Sequence, residues 1–294
     1  MKLQKKLLIA FLLLALIPTL IVGFITSYVS SSTIEQQIFS QLVAVREIKK
    51  SQIEGYFSER EGDIKVLSGT VEKILDFSSS MALNTSAHNQ NEYFDNFIKA
   101  YGYYDFFLID DAGEIFYTLT KEADYQTNLI TGKYNNSGLG KLFKKVQDSG
   151  KFAMSDFSNY APSNGDPAGF IALPLTTNSG ISVVVALQLS IEKISEVMQQ
   201  RAGMGDTGES YLIGSDLLMR SDSFLDPEGH SVGASFSGTV KNNGVDTEGA
   251  KLAIKGEVGQ KIIIDYNGNP VLSAYTPVDI NGIRWALLSE IDVA

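Results

Sequence analysis

The first pattern along the chain is an unbroken one. Leu7 to Val29 holds 23 residues without a charge. A helix rises about 1.5 Å per residue, so this run is long enough for a hydrocarbon core of about 30 Å. Pro18 falls inside it, which a spanning helix tolerates better than a soluble one does. Lys2, Lys5 and Lys6 precede the run and place residues 1–6 in the cytoplasm by the positive-inside tendency. The competing reading is a cleaved signal peptide, with Ser27 and Ser30 to Ser32 as small residues near a cut. The run exceeds the usual h-region of about 7–15 residues, which favours an uncleaved anchor over 7–29. Either reading exports the rest of the chain.

A second helical pattern starts at Thr33. Ile34, Ile38, Leu42, Val45, Ile48, Ile53, Tyr56, Phe57, Ile64, Leu67, Val71, Ile74 and Leu75 recur mostly at three- and four-residue spacing. Glu35, Arg46, Lys49, Lys50, Glu59, Arg60, Glu61 and Lys65 are assigned to its polar face. One stripe serves either a helix packed on its own domain or a stalk over 33–77 that continues the membrane helix and pairs with a second copy.

After Ser78–Ser80 short β-type runs take over: Phe106–Ile109, Glu114–Thr118, Phe152–Phe157, Phe170–Leu175 and Ile181–Leu189. Helices are expected at Glu92–Ala100, Gly138–Gln147 and Ile191–Gln200. The Gly-rich break Ala202–Gly205 marks a boundary. Strands then resume at Ser210–Ile213, Leu217–Arg220, Lys261–Asp265, Pro270–Pro277 and Arg284–Glu290. The second set repeats the first. Phe107–Asp111 resembles Tyr211–Ser215 at an offset of 104, and Gly180–Leu187 resembles Gly282–Ser289 at an offset of 102.

Composition narrows the chemistry. The 294 residues suffice for one large or two ordinary domains. Absence of cysteine excludes disulfides, thiolate metal sites and a cysteine nucleophile. His88 and His230 are far apart in sequence and each lies in a polar stretch or turn, so both are expected to be solvated. A net charge of −10 repels nucleic acid. GxSxG and GxxxxGK[ST] motifs are missing, and Asp110-Asp111 reads as a hairpin turn with Gly113, so the chain is not expected to be an enzyme and no cofactor is implied.

The segments Ala100–Asp110, Lys121–Leu129, Ser155–Ser163, Arg201–Gly214, Leu218–Asp222 and Arg284–Asp292 together resemble the double Cache sensor region of bacterial chemoreceptors and related transmembrane sensors. The resemblance covers roughly residues 33–294. It implies an α+β fold: a long N-terminal helix, its first part membrane-spanning, then two PAS-like modules with antiparallel sheets in tandem. The membrane-distal module would occupy 78–200 and the membrane-proximal module 201–294. It further implies an inner-membrane receptor with its sensor domain periplasmic, a homodimer, and a small ligand in the distal module. The runner-up readings are a sensor of a histidine kinase or cyclase, or a module that binds a periplasmic partner protein.

The resemblance places ligand contacts at Tyr117, Asp124, Tyr125, Asn128, Asp156, Tyr160 and Gln188. Amino-acid-binding members use an arginine with a tryptophan–tyrosine pair for the carboxylate, and an aspartate on the last strand for the ammonium. Here those positions fall on Ala123-Asp124-Tyr125 and on Gln188, and no arginine lies between Arg60 and Arg201. A carboxylate would then fall to Lys121, Lys133 or backbone N–H groups. The expectation is that ordinary amino acids are disfavoured and that Asp124 and Asp156 suit a cation, an amine or a hydroxylated ligand. Asp216 and Asp222 are expected to pair structurally with Arg220, and Trp285 to pack the core of the second module.

Overall fold

The structure is a computed structural model and describes residues 3–76 and 83–293. A single helix, α1 (Leu3–Asp76), carries both of the first two patterns without a break. Among the described residues no helix is long and apolar enough to cross a membrane, so an anchor at Leu7–Val29 rests on the sequence.

From Leu42 to Leu75 the buried positions of α1 are Leu42, Arg46, Lys49, Ile53, Tyr56, Phe57, Arg60, Ile64, Leu67, Ser68, Val71 and Leu75. The spacing of three and four forms one stripe, packed against strands of both sheets. Ile34 and Ile48, assigned to that stripe, are exposed, whereas Arg46, Lys49 and Arg60 lie within it. Each of these cations reaches backbone carbonyls. Arg46 donates to Gly259 O (3.0 Å) and Tyr275 O (3.3 Å), Lys49 to Val197 O and Met198 O, and Arg60 to Tyr101 O (3.1 Å). Carbonyls at helix ends lack intrahelical donors, which is why a long cationic side chain is useful there.

Helices α2 (Leu83–His88) and α3 (Asn91–Tyr101) follow. Gly102 ends α3 at φ +74°, where its N–H donates to Ile98 O. The first sheet contains β1 (Tyr103–Asp110), β2 (Ile115–Thr118), β3 (Ala153–Asn159), β4 (Pro167–Thr176) and β5 (Ser182–Leu189), in the antiparallel order β2-β1-β5-β4-β3. Helix α4 (Gly138–Ser149) covers one face, and α1 with α3 covers the other. Helix α5 (Ile191–Met198) links to the second set: β6 (Glu209–Ile213), α6 (Val232–Ser237), α7 (Val240–Asn243), α8 (Glu248–Ile254), β7 (Gly259–Ile264), β8 (Pro270–Ile280) and β9 (Ile283–Asp292). Their order is β6-β9-β8-β7. Helices α4, α5, α6 and α8 each open on a Ser or Thr whose hydroxyl accepts the N–H three residues on.

The repeat holds at the level of register. Phe107 pairs with Ala186, and Tyr211 pairs with Leu288, which are the same two offsets. Leu217–Arg220 departs from expectation: in place of a strand there is one bridge, Ile213 to Met219.

Arg220 is what the last turn of that segment is built around. It is buried, and its guanidinium forks onto Asp156 of β3 (2.8 and 2.9 Å) while also meeting Asp216 (2.9 Å). A Cβ at Gly214 would overlap that guanidinium, so the approach requires glycine. Trp285 Nε1 donates to the same Asp156 carboxylate (3.0 Å), and its ring lies against Phe57 of α1 and Phe157 of β3. Trp285 therefore packs between the two sheets, not inside the second alone. Asp222 caps the N–H of Val232 instead of pairing with Arg220. Removing one partner of a buried ion pair strands the other. Arg220→Met is expected to lower the stability of the full chain by about 3 kcal/mol in denaturant unfolding, whereas Asp216→Asn, whose carboxylate is partly exposed, should cost no more than about 1 kcal/mol. Equal losses would mean that Asp156 is not the partner that matters.

Candidate functional site

The α4-covered face of the first sheet is apolar at its centre, with Phe107, Ala186, Ala172 and Phe170. At one end of that face the row turns polar. Asp105 of β1 stands opposite Gln188 of β5, which stands opposite Phe170 of β4. Asp105 and Gln188 are both buried. Asp105 Oδ1 accepts the N–H groups of Phe106 (2.7 Å), Leu119 (3.0 Å) and Thr120 (3.1 Å). Its Oδ2 accepts the hydroxyls of Thr118 (2.5 Å) and Thr120 (2.6 Å). The carboxylate thereby ties down the segment that leaves β2. Burial still pushes its pKa up, and the hydroxyl and N–H donors act against that.

The tied segment delivers Glu122 and Asp124. Glu122 accepts from the hydroxyls of Tyr104 (2.7 Å) and Ser163 (2.6 Å). Asp124 is wholly buried, and its Oδ2 accepts from the Tyr160 hydroxyl (2.5 Å). Tyr160 is in turn set edge-on against Phe170. Among the described residues, Asp124 Oδ1 and Gln188 Oε1 are buried without a hydrogen-bond partner. Gln188 donates weakly to Ser163 (3.4 Å) from its other atom. Buried polar atoms normally pair, so two such oxygens at one end of a sheet ask for a donor. A cavity of about 280 Å³ reaches this cluster at Gln188 and Ser163 and is lined further by Tyr104, Asp166, Glu192 and Asp222; Asp124 lies behind it and is not part of its wall. No basic side chain is among its lining residues.

Of the residues singled out from sequence, Asp124, Tyr160 and Gln188 come together here. Tyr125 is half-buried nearby, with Lys121 Nζ 6.0 Å from its ring. Three others are placed elsewhere. Tyr117 lies on the α1 face, where its hydroxyl donates to Asn91 (2.7 Å) and its ring packs on Phe94 and Phe106. Asn128 forms a turn, its Oδ1 accepting from the N–H groups of Ile130 and Thr131 (both 2.9 Å). Asp156 is taken up by Arg220 and Trp285. Two further corrections concern histidine. His88 is half-buried against Tyr117, and His230 is buried, bonded to Asp226 (2.7 Å) and stacked on Tyr266. Asp105, Glu122 and Ser163 were missed. The signal that went unused for Asp105 is a carboxylate inside the apolar run Tyr103–Ile109.

With this geometry in place, the chain belongs to the Cache domain family: the dCache_1 family model matches residues 30–294. The fold is shared with solved ligand-binding domains of Pseudomonas chemoreceptors. The PctC domain of Pseudomonas aeruginosa, solved with GABA, is 13% identical; the match covers 87% of this chain and 100% of that one, at a TM-score of 0.59. The PctB domain of the same organism, solved with L-Arg, is 16% identical over 87% and 96% of the two chains, at 0.56. The CtaA domain of Pseudomonas fluorescens, solved with L-serine, is 14% identical over 87% and 98%, also at 0.56. The expectation that ordinary amino acids are disfavoured finds no support in these neighbours. Among curated proteins, none matches this chain in sequence.

Burial raises the Asp124 carboxyl to about 6; Asp105 and Glu122 add repulsion, and the Tyr160 hydroxyl pulls the other way. The folded protein therefore holds this proton more tightly than the unfolded chain does. Stability linked to it is greatest below the ordinary carboxylate value and is lost as pH rises through about 6. Asp124→Asn should remove that loss. It is expected to raise ligand-free stability near pH 8 by on the order of 2 kcal/mol, with little effect near pH 4, in urea unfolding at both pH values. A variant destabilised equally at both would show that the charge is well accommodated.

Proposed function

We propose that this chain is the sensory region of a bacterial transmembrane receptor, binding a small amine-bearing ligand in its first, membrane-distal module. It is read as a binding module and not as an enzyme. The observation that carries the reading is the pair of buried acceptor oxygens without partners, Asp124 Oδ1 and Gln188 Oε1, the second of them on a residue that lines a cavity with acidic walls. Acceptors in a negative surround select a cation that donates hydrogen bonds, and an ammonium group does both. Amino acids fall within that class. Their ammonium would sit against Asp124, Gln188 and Tyr160, and their carboxylate would fall to Lys121 or to backbone N–H groups. The family and the shared fold support a sensor role.

The anchor reading rests on the uncharged run Leu7–Val29 behind three lysines, and on the exposure of Phe11, Leu14, Leu20 and Phe24 along that part of α1. This reading puts the sensor outside the cytoplasm of the inner membrane and takes a parallel homodimer as the signalling unit. A ligand that binds one of two arrangements more tightly shifts their populations, and α1 carries the difference toward the membrane.

The test is a thermal-shift panel on the full chain in detergent, with amino acids, amines, organic acids, sugars and nucleobases. A compound at 100 times its dissociation constant stabilises by about 2.7 kcal/mol. Hits are expected among compounds with a primary ammonium, and Asp124→Ala and Gln188→Ala should each weaken them at least about tenfold. Hits confined to compounds without an amine, or indifferent to both substitutions, would sink the reading.

A further inference from the structure

The polar end of the first sheet has a counterpart in the second. Adding the offset of 104 to Asp105 gives Glu209, and adding 102 to Gln188 gives Glu290. Both pairs sit directly opposite in their ladders, Asp105 with Gln188 and Glu209 with Glu290. The duplication extends to the hydrogen bonds. Glu209 Oε2 accepts from the Ser223 hydroxyl (2.8 Å) and from the N–H groups of Phe224 (3.0 Å) and Leu225 (3.3 Å). These follow the Leu217–Arg220 segment as Thr118 to Thr120 follow β2's apolar residues. The final strand again carries the orphan: among the described residues Glu290 Oε1 is buried without a hydrogen-bond partner, as Gln188 Oε1 is.

The two sockets differ in charge. A carboxylate faces an amide in the first, and two buried carboxylates face each other in the second. Like charges placed opposite across a ladder repel, and burial makes the repulsion worse. What surrounds them relieves only part of it. The Tyr211 hydroxyl donates to Glu290 Oε2, and the Tyr266 hydroxyl donates to Glu209 Oε1. Ser273, opposite Glu290 on β8, places its hydroxyl near enough to favour the carboxylate, although the pair falls short of good hydrogen-bond geometry. Asp265 adds further negative charge, and no cation is bonded to either glutamate among the described residues.

There is also a way in. Tyr266 lines a cavity of about 400 Å³, whose other walls include Lys241, Asp246, Glu248 and Asp265 but neither Glu209 nor Glu290. Its hydroxyl closes onto Glu209 while its ring lies on His230, itself bonded to Asp226. A rotation of Tyr266 would join cavity and socket. We infer that the second module is a binding site in its own right, in which Glu290 and Glu209 take the ammonium group of a small amine that enters past Tyr266. This goes beyond the distal-site reading and does not depend on it. An ammonium would supply Glu290 Oε1 with a stronger donor than the poorly aligned Ser273 hydroxyl, together with the missing positive charge.

Burial pushes the Glu290 carboxyl up to about 7, and Glu209 adds to this, so a proton competes with the amine for the site. The experiment is isothermal titration of the full chain with 1,4-diaminobutane, which stays protonated across the range used. Two sites per chain are expected. Glu290→Gln should remove one, and Asp124→Asn should remove the other. In the Asp124→Asn background the remaining site should weaken about tenfold from pH 8 to pH 6. That measurement needs no substitution in the second module, so it stands even where Glu290→Gln fails to fold. No binding in the Asp124→Asn background, or affinity flat from pH 8 to pH 6, overturns the inference. A site lost in Glu290→Gln but untouched by Asp124→Asn would instead uphold it and count against the distal reading.

Discussion

The buried face of α1 from Leu42 to Leu75 sets the relation between the two sheets. Its apolar residues pack against both, and its three cations grip carbonyls in three places: the second sheet, the end of α5 and the end of α3. A buried ammonium is costly. Burial alone lowers the Lys49 pKa to about 8. For Lys49 the cost is offset by carbonyls at the end of α5, where intrahelical donors run out and losing the contact would leave both sides unpaired. A rotation of one sheet against the other therefore cannot leave α1 untouched. Close-packed interfaces of this kind move between discrete arrangements and do not deform continuously.

The two modules reuse one piece of local engineering. A buried acid on the first strand fastens the segment after β2 in one sheet and the segment after the Ile213–Met219 bridge in the other, through backbone N–H groups and hydroxyls. This gives Asp105 and Glu209 a folding role that is separate from binding: each pins a loop whose own residues then shape the site. The oxygens opposite them, on Gln188 and Glu290, have no such task. They are the atoms a donor would complete, an amide oxygen in one sheet and a carboxylate oxygen in the other.

Much of this was legible in the sequence, and the failures have local causes. The strands of both sheets follow from short β-type runs bounded by Gly, Asn, Asp and Pro, and the offsets of 104 and 102 turn out to be matched registers. Asp156 was placed at the site by the resemblance alone; β3 shifts register between Ser155 and Ser158, and the carboxylate goes to Arg220 and Trp285 instead. Arg46, Lys49 and Arg60 sit at the spacing of the buried stripe, but charge argued them onto the polar face; their partners are carbonyls that no side-chain pattern reveals. The helices α6, α7 and α8 span one or two turns each, too short to establish a period. Convergence of Asp105 with Glu122, Asp124 and Tyr160 depends on the loop after β2, whose path is set by hydrogen bonds to a single carboxylate.

The position of Gln188 bears on how occupancy would reach α1. Gln188 is the penultimate residue of β5, and Ser190 directly after that strand caps α5. The last carbonyls of α5, on Val197 and Met198, are the ones that hold Lys49. One short helix thus joins an oxygen that lacks a donor to a buried cation on the long helix. A ligand that draws Gln188 toward the cavity pulls on the start of α5, and a two-turn helix is too stiff to absorb the displacement within itself. On the proposed reading the far end would follow, and there the chain meets Lys49, whose buried ammonium holds the carbonyls of Val197 and Met198. Coupling between site and long helix then needs no relay of rearranged side chains; it needs α5 to move as a rod.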